Sequence, residues 1–122
     1  MNNRPVPELQ TDPEFDELIQ PREEKYLEEL EENIFDHGCQ EPVCVWNGII
    51  LDGRLRYKIC TKWDIHFNIR RIMLESRDKA VSFICHEQLK RTDLTGEYKK
   101  YLIGRLFRAD MNTASDEFMK KH

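Results

Sequence analysis
The apolar run Ile49-Ile50-Leu51 leads directly into Asp52-Gly53-Arg54-Leu55-Arg56-Tyr57. A strand that ends in Asp-Gly and re-enters a basic helix brings main chain and charge to one place. Glycine lets a ligand come close to the backbone. The first N–H groups of the following helix have no partner within it, and the helix dipole favours an anion there. Arg56, one turn in, adds a forked, charge-assisted donor. These residue types predict a phosphate-binding turn centred on Gly53 and Arg56, with Arg54 and Lys58 at its rim and Asp52 as the adjacent carboxylate.

A second group, His86-Glu87-Gln88-Leu89-Lys90-Arg91, closes a later helical pattern. Glu87 and Arg91 are four residues apart and share a helix face. That spacing describes an ordinary surface ion pair, worth about a few tenths of a kcal/mol. It equally allows Arg91 to take a second phosphate and Glu87 to face magnesium or a sugar hydroxyl. His86-Glu87 does not begin a zinc-protease motif, because Lys90 stands where the second histidine belongs. Cys39, Cys44, Cys60 and Cys85 form no C-x-x-C pair, and His37, Cys39 and Cys44 match no familiar zinc spacing. Free thiols and no zinc are expected.

The chain has 122 residues, 34% charged and 39% hydrophobic, which suits one domain with a modest core. No run approaches a membrane span, and the N-terminus lacks the apolar stretch of a signal peptide. A soluble, cytoplasmic protein with no membrane partner is expected. The net charge of −4 conceals an asymmetry: residues 1–52 carry 3 Lys/Arg and 14 Asp/Glu, residues 53–122 carry 16 and 9. Such a dipolar chain either presents a basic face to phosphates or nucleic acid, or simply pairs its two halves.

These groups need elements to hold them. Residues 1–20 read as an irregular or partly extended arm, with Val6 and Leu9 as a short edge strand and Phe15, Leu18 and Ile19 packing onto the body. Pro21 suits the first position of a helix that Gly38 stops, with Tyr26, Leu27, Leu30, Ile34 and Phe35 as its apolar stripe. Val43–Trp46, the turn Asn47-Gly48 and Ile49–Leu51 predict a hairpin. A helix over about 54–63 and a strand around Phe67-Asn68-Ile69 come next. Ser76 caps a helix that runs to about Lys90 with Ala80, Val81, Ile84, Cys85 and Leu89 inside. Thr95 caps another, with Tyr98, Tyr101, Leu102, Leu106 and Phe107 as its stripe. A further short helix from Ser115 is expected after Asp110. The order predicts an α+β domain over 21–110, with a short mixed sheet, packed helices and a helical C-terminal part. Residues 111–122 form a tail or the start of a truncated helical region.

Three segments in this order resemble the N-terminal domain of ParB, in the superfamily shared with sulfiredoxin: Asp36-His37-Gly38-Cys39-Gln40-Glu41-Pro42-Val43-Cys44-Val45, Asp52-Gly53-Arg54-Leu55-Arg56-Tyr57, and Glu87-Gln88-Leu89-Lys90-Arg91-Thr92-Asp93-Leu94-Thr95. The likeness spans about residues 5–108 and is nearest to the stand-alone ParB-like proteins found on mobile elements of Gram-positive bacteria. In that family the glycine-arginine turn and the E-N-x-x-R segment grip a nucleoside triphosphate, usually CTP with magnesium. The resemblance therefore implies a nucleotide site at Gly53, Arg54, Arg56, Glu87, Gln88 and Arg91, with magnesium at Glu87. It also implies that Arg56 and Arg91 converge on one corner of backbone. Leu55 replaces the first of two adjacent arginines, and Gln88 replaces the usual asparagine. DNA contacts would belong to a downstream helix-turn-helix region, and a homodimer is compatible with this reading. Sulfiredoxin chemistry needs a cysteine inside the turn, and residues 53–57 contain none.

Three function classes are compatible with these residues. The first is a ParB-like, DNA-associated regulatory or partition-type domain that responds to a nucleotide. The second is an enzyme in the same pocket, a nuclease or a phosphoryl-transfer protein, with Asp52, Glu87 and His86 as the candidate bases. The third is a non-catalytic interaction module whose partner surface is the acidic helix over 22–37.

Overall fold
Asn47 and Gly48 both take positive φ, 51° and 78°. That pair of angles lets two strands reverse over two residues. In the computed structural model, which describes residues 8–121, the elements run α1 (Pro13–Glu17), α2 (Glu24–His37), β1 (Val43–Trp46), β2 (Ile49–Asp52), α3 (Arg54–Trp63), β3 (Ile69–Arg71), α4 (Arg77–Leu89) and α5 (Gly96–Lys121). They form two units. Residues 8–12 and 21–72 make the first, and residues 13–20 and 73–121 the second.

In the first unit the strands lie in the order β2-β1-β3. β1 is antiparallel to β2, with Val45 opposite Ile50 and Cys44 opposite Asp52, so a bulge falls between Cys44 and Val45. β3 is parallel to β1, with Val43 opposite Ile69. This is the expected short mixed sheet. β3 starts at Ile69; just before it Phe67 is buried in the core and the Asn68 carbonyl accepts the Val43 N–H at 2.9 Å. Gln10 bridges to Ile49 beyond β2, through Gln10 N–H to the Gly48 carbonyl and Ile50 N–H to the Gln10 carbonyl, both 2.9 Å. Val6, the other residue of the expected edge strand, lies outside the described residues.

Ile34, Val43, Val45, Ile50, Ile59, Cys60 and Phe67 form the core of this unit, with Leu9, Leu30 and Tyr57 packed against it. Each large apolar side chain buried there contributes about 1.5–3 kcal/mol. The α2 stripe is narrower than its spacing suggests: only Ile34 is buried, Tyr26 is 39% exposed and Phe35 63%. α2 also begins at Glu24 and not at Pro21. Glu23 is still extended (ψ 152°) while Arg22 lies 4.3 Å above the Tyr26 ring, which sets the entry of the chain. The Gly38 stop is as expected, with φ 80° and its N–H on the Ile34 carbonyl.

In the second unit Pro13 opens a single helical turn instead of keeping the arm irregular, and Phe15 and Leu18 are buried. Glu14 holds this turn between two cations, Arg77 Nε at 2.7 Å and Arg105 Nη2 at 2.9 Å. Ser76 caps α4 by accepting the Lys79 N–H at 3.2 Å. Its inner face is Ala80, Val81, Ile84, Cys85 and Gln88, so Gln88 takes the place expected for Leu89. Thr95 Oγ accepts the Tyr98 N–H at 3.1 Å at the start of α5. α5 then runs unbroken to Lys121, and no separate helix begins at Ser115. No Gly or Pro interrupts residues 105–121, and Ala109 is buried at the expected breakpoint. Leu102 and Ala109 face inward, whereas Phe107 is 67% exposed.

Candidate functional site
The β2–α3 corner is built by backbone before any side chain contributes. The bulge opposite Cys44–Val45 adds one residue to β2 just ahead of Asp52. Such irregularities bend a strand and re-aim the residues beyond them. Gly53 then takes φ 97° and ψ 22°, in the left-handed region, and is the N-cap of α3. It offers no side chain with which to cap its own helix. Its carbonyl accepts the Tyr57 N–H at 2.9 Å and starts the helical ladder.

Arg56 lies back across this corner. A methyl group at Gly53 would stand 2.9 Å from Arg56 Nη2 and 3.2 Å from Val43 Cα. Arg56 Nη2 donates to the Pro42 carbonyl at 2.9 Å and faces Asp52 Oδ2 at 3.4 Å. Nη1 faces Glu41 Oε2 at 3.5 Å, and Glu41 is 79% exposed. Arg56 Nε is buried without a hydrogen-bond partner. The side chain is therefore a strut between the turn and residues 41–42, with one N–H unspent and one carboxylate easily displaced. A glycine crowded by its neighbours, beside a guanidinium N–H without a partner at the start of a helix, is a corner whose donors suit an anion.

Gly53, Arg54 and Arg56 belong to the first unit; Glu87, Gln88 and Arg91 belong to the second. Each group is built by contacts of its own unit. In the second, Glu87 Oε1 accepts from Lys90 Nζ at 2.8 Å, so its partner is Lys90 and not Arg91. The reason is that α4 stops at Leu89 and the chain turns, taking Arg91 off the face that carries Glu87. Arg91 instead forms a two-pronged pair with Asp93, Nε to Oδ1 and Nη2 to Oδ2, each 2.8 Å. Its Nη1 donates to the Gln20 carbonyl at 2.9 Å and to Gln88 Oε1 at 3.0 Å. The Arg91 side chain is only 9% exposed. Gln20 adds Oε1 to the Thr95 N–H at 2.9 Å and donates Nε2 to the Asp93 carbonyl at 3.1 Å. Arg91 thus fastens the α4–α5 corner to the residues after α1. His86 is exposed at the end of α4.

Gln20 and Asp93 are the residues that motif spacing leaves without a role. Asp93 stands inside the third ParB-like segment, but nothing in its spacing marks it as the partner of Arg91. Gln20 carries no signal in the sequence. Among the described residues no group of three or more His, Cys, Asp or Glu is gathered to hold a metal ion. No described helix is long and apolar enough to cross a membrane. The four cysteines are unbridged.

No family model and no curated protein matches the sequence. Solved structures do share its fold. A structure of the C2221 form of a Pnob8-like ParB-N domain is similar at a TM-score of 0.69 and 24% identity, over 93% of this chain and 47% of that one. A structure of a pNOB8-like ParB N-domain is similar at 0.67 and 21%, over 93% of this chain and 44% of that one. The chain spans about half the length of the solved chains it matches. With the sheet order, the helical C-terminal part and these likenesses together, the chain has a ParB N-domain-like fold.

Proposed function
We propose that this chain is a ParB-like, DNA-associated regulatory or partition-type module whose Gly53 turn receives the phosphates of a nucleoside triphosphate, with CTP the first candidate. The observation that carries the proposal is the Arg56 guanidinium laid against a crowded, left-handed glycine at the start of α3. An arriving phosphate would meet the N-terminal end of the α3 dipole and accept from Arg56, replacing the exposed Glu41 carboxylate at Nη1. Magnesium would arrive on the phosphate oxygens and keep most of its waters. Arg54 and Lys58 would add rim charge. Arg91 is engaged by Asp93, Gln20 and Gln88 and acts in this proposal as a fastener of its own unit. With a net charge of −4, the module's own hold on DNA would be weak and steeply salt-dependent.

Calorimetric titration with CTP, ATP and GTP, with and without magnesium, tests this. One triphosphate is expected to bind to the parent chain and not to Arg56→Ala, whose circular dichroism should be unchanged. Absence of binding by all three, or equal binding by the variant, overturns the assignment.

A further inference from the structure
α2 and α3 of the first unit enclose an open groove of about 420 Å³ lined by Glu28, Glu31, Glu32, Phe35, Asp36 and Trp63. Its floor is aromatic. Phe35 and Trp63 meet edge to face, with ring centroids 5.7 Å apart, and both are substantially exposed, at 63% and 46%. An exposed aromatic pair rimmed by charge is the composition of an interaction site more than of idle surface.

The charges around it are of one sign and mostly unpartnered. Glu28, Glu32 and Asp36 succeed each other at four-residue spacing along α2, and none has an ion-pair partner among the described residues. Like charges at that spacing repel and weaken a helix. The groove also contains an internal example of the chemistry it favours. Lys62 Nζ sits 4.9 Å from the centre of the Trp63 ring and 3.3 Å from Glu31 Oε1, while Trp63 Nε1 donates to the same oxygen at 2.8 Å. A cation on this aromatic face with a carboxylate behind it is thus already realised once.

We infer that this groove docks a Lys/Arg-bearing peptide segment of a partner protein, one apolar side chain entering between Phe35 and Trp63 and its cationic neighbours meeting Glu28, Glu32 and Asp36. Charge complementarity selects this occupant: the same carboxylates repel the phosphates of nucleic acids and of anionic lipids. The site is separate from the Gly53 turn and does not depend on nucleotide binding.

The test uses the whole chain and a short fluorescein-labelled peptide of alternating Lys and Leu with a central Phe, monitored by anisotropy and by tryptophan emission. The peptide is expected to bind, more weakly as salt rises, and its Glu-for-Lys counterpart is not. The triple variant Glu28→Gln, Glu32→Gln, Asp36→Asn should lose about tenfold in affinity while melting no lower than the parent, since only exposed, mutually repelling charges are removed. Trp63→Ala should weaken binding comparably, and Glu24→Gln, on the first turn of α2, should not. Absence of binding, equal affinity for both peptides, or an unaffected triple variant overturns the inference. So does self-association of the chain that the triple variant abolishes, because the occupant would then be a second copy.

Discussion

Arg56 and Gly53 occupy each other's space: the guanidinium Nη2 stands 2.9 Å from where a Gly53 side chain would begin. The left-handed φ of 97° adds to that crowding, since a non-glycine residue there costs about 1–2 kcal/mol. Gly53→Ala is therefore expected to lower the urea midpoint by at least that equivalent. Arg56 can swing aside, but Val43 Cα at 3.2 Å is main chain and cannot. The proposed nucleotide affinity should fall as well. An alanine variant as stable as the parent would show that the corner has room to spare.

Arg91 and Asp93 make a two-pronged ion pair in the second unit, two parallel bonds of 2.8 Å on an Arg91 side chain only 9% exposed. Arg91→Ala also leaves the Gln20 carbonyl and Gln88 Oε1 without their donor. Together these losses should cost about 1–3 kcal/mol in equilibrium unfolding. Arg91→Lys should not rescue, because an ammonium cannot reproduce the fork. A residue serving only a ligand would leave stability unchanged, and unchanged stability would remove Arg91 from its fastening role.

Glu31 gives a pH signature. The Trp63 indole N–H, and then the Lys62 ammonium, hold its carboxyl below the ordinary value of 4.5. A depressed folded-state pKa stabilises the fold above the unfolded value, and the effect is lost as pH falls through the folded one. The melting temperature of Glu31→Gln should lie below the parent's at neutral pH. The gap should close in acid, below the ordinary carboxylate range. A gap that is constant with pH would show that the charge of Glu31 contributes nothing.

The thiols should separate by burial. Burial, and after it a hydrogen bond with Cys39, pushes Cys60 up to about 12, and burial pushes Cys85 up to about 11. The thiolate is the reactive form, so both should resist iodoacetamide in the folded protein at neutral pH. Cys39, only half-buried, should be modified first. Mass spectrometry of the native and urea-unfolded chain reads this directly; rapid native labelling of Cys60 would contradict the packing of its core.

The punctuation of this fold was legible because it is local. Asn47-Gly48, the Gly38 stop, the Ser76 and Thr95 caps and the α3 boundaries each depend on angles and hydrogen bonds spanning a few residues. The Gly53–Arg56 corner was legible for the same reason, since the two residues lie within one helical turn. Apolar spacing was less faithful. Phe35 and Phe107 fit their stripes, yet the stripe of each helix is wider than the surface its neighbours cover.

What the sequence by itself determined is the order of elements, their turns and caps, and a glycine-arginine corner at the start of α3, since neighbouring residues alone decide these. Tertiary structure decided that a bulge precedes that corner, that Arg91 turns to Asp93 and not to Glu87, and that Gln20 completes its shell from 71 residues away. It also decided which aromatic residues stay at the surface. A guanidinium takes the acceptors that the chain path brings within reach, and that path is set by the packing of whole elements, which no short window of sequence contains.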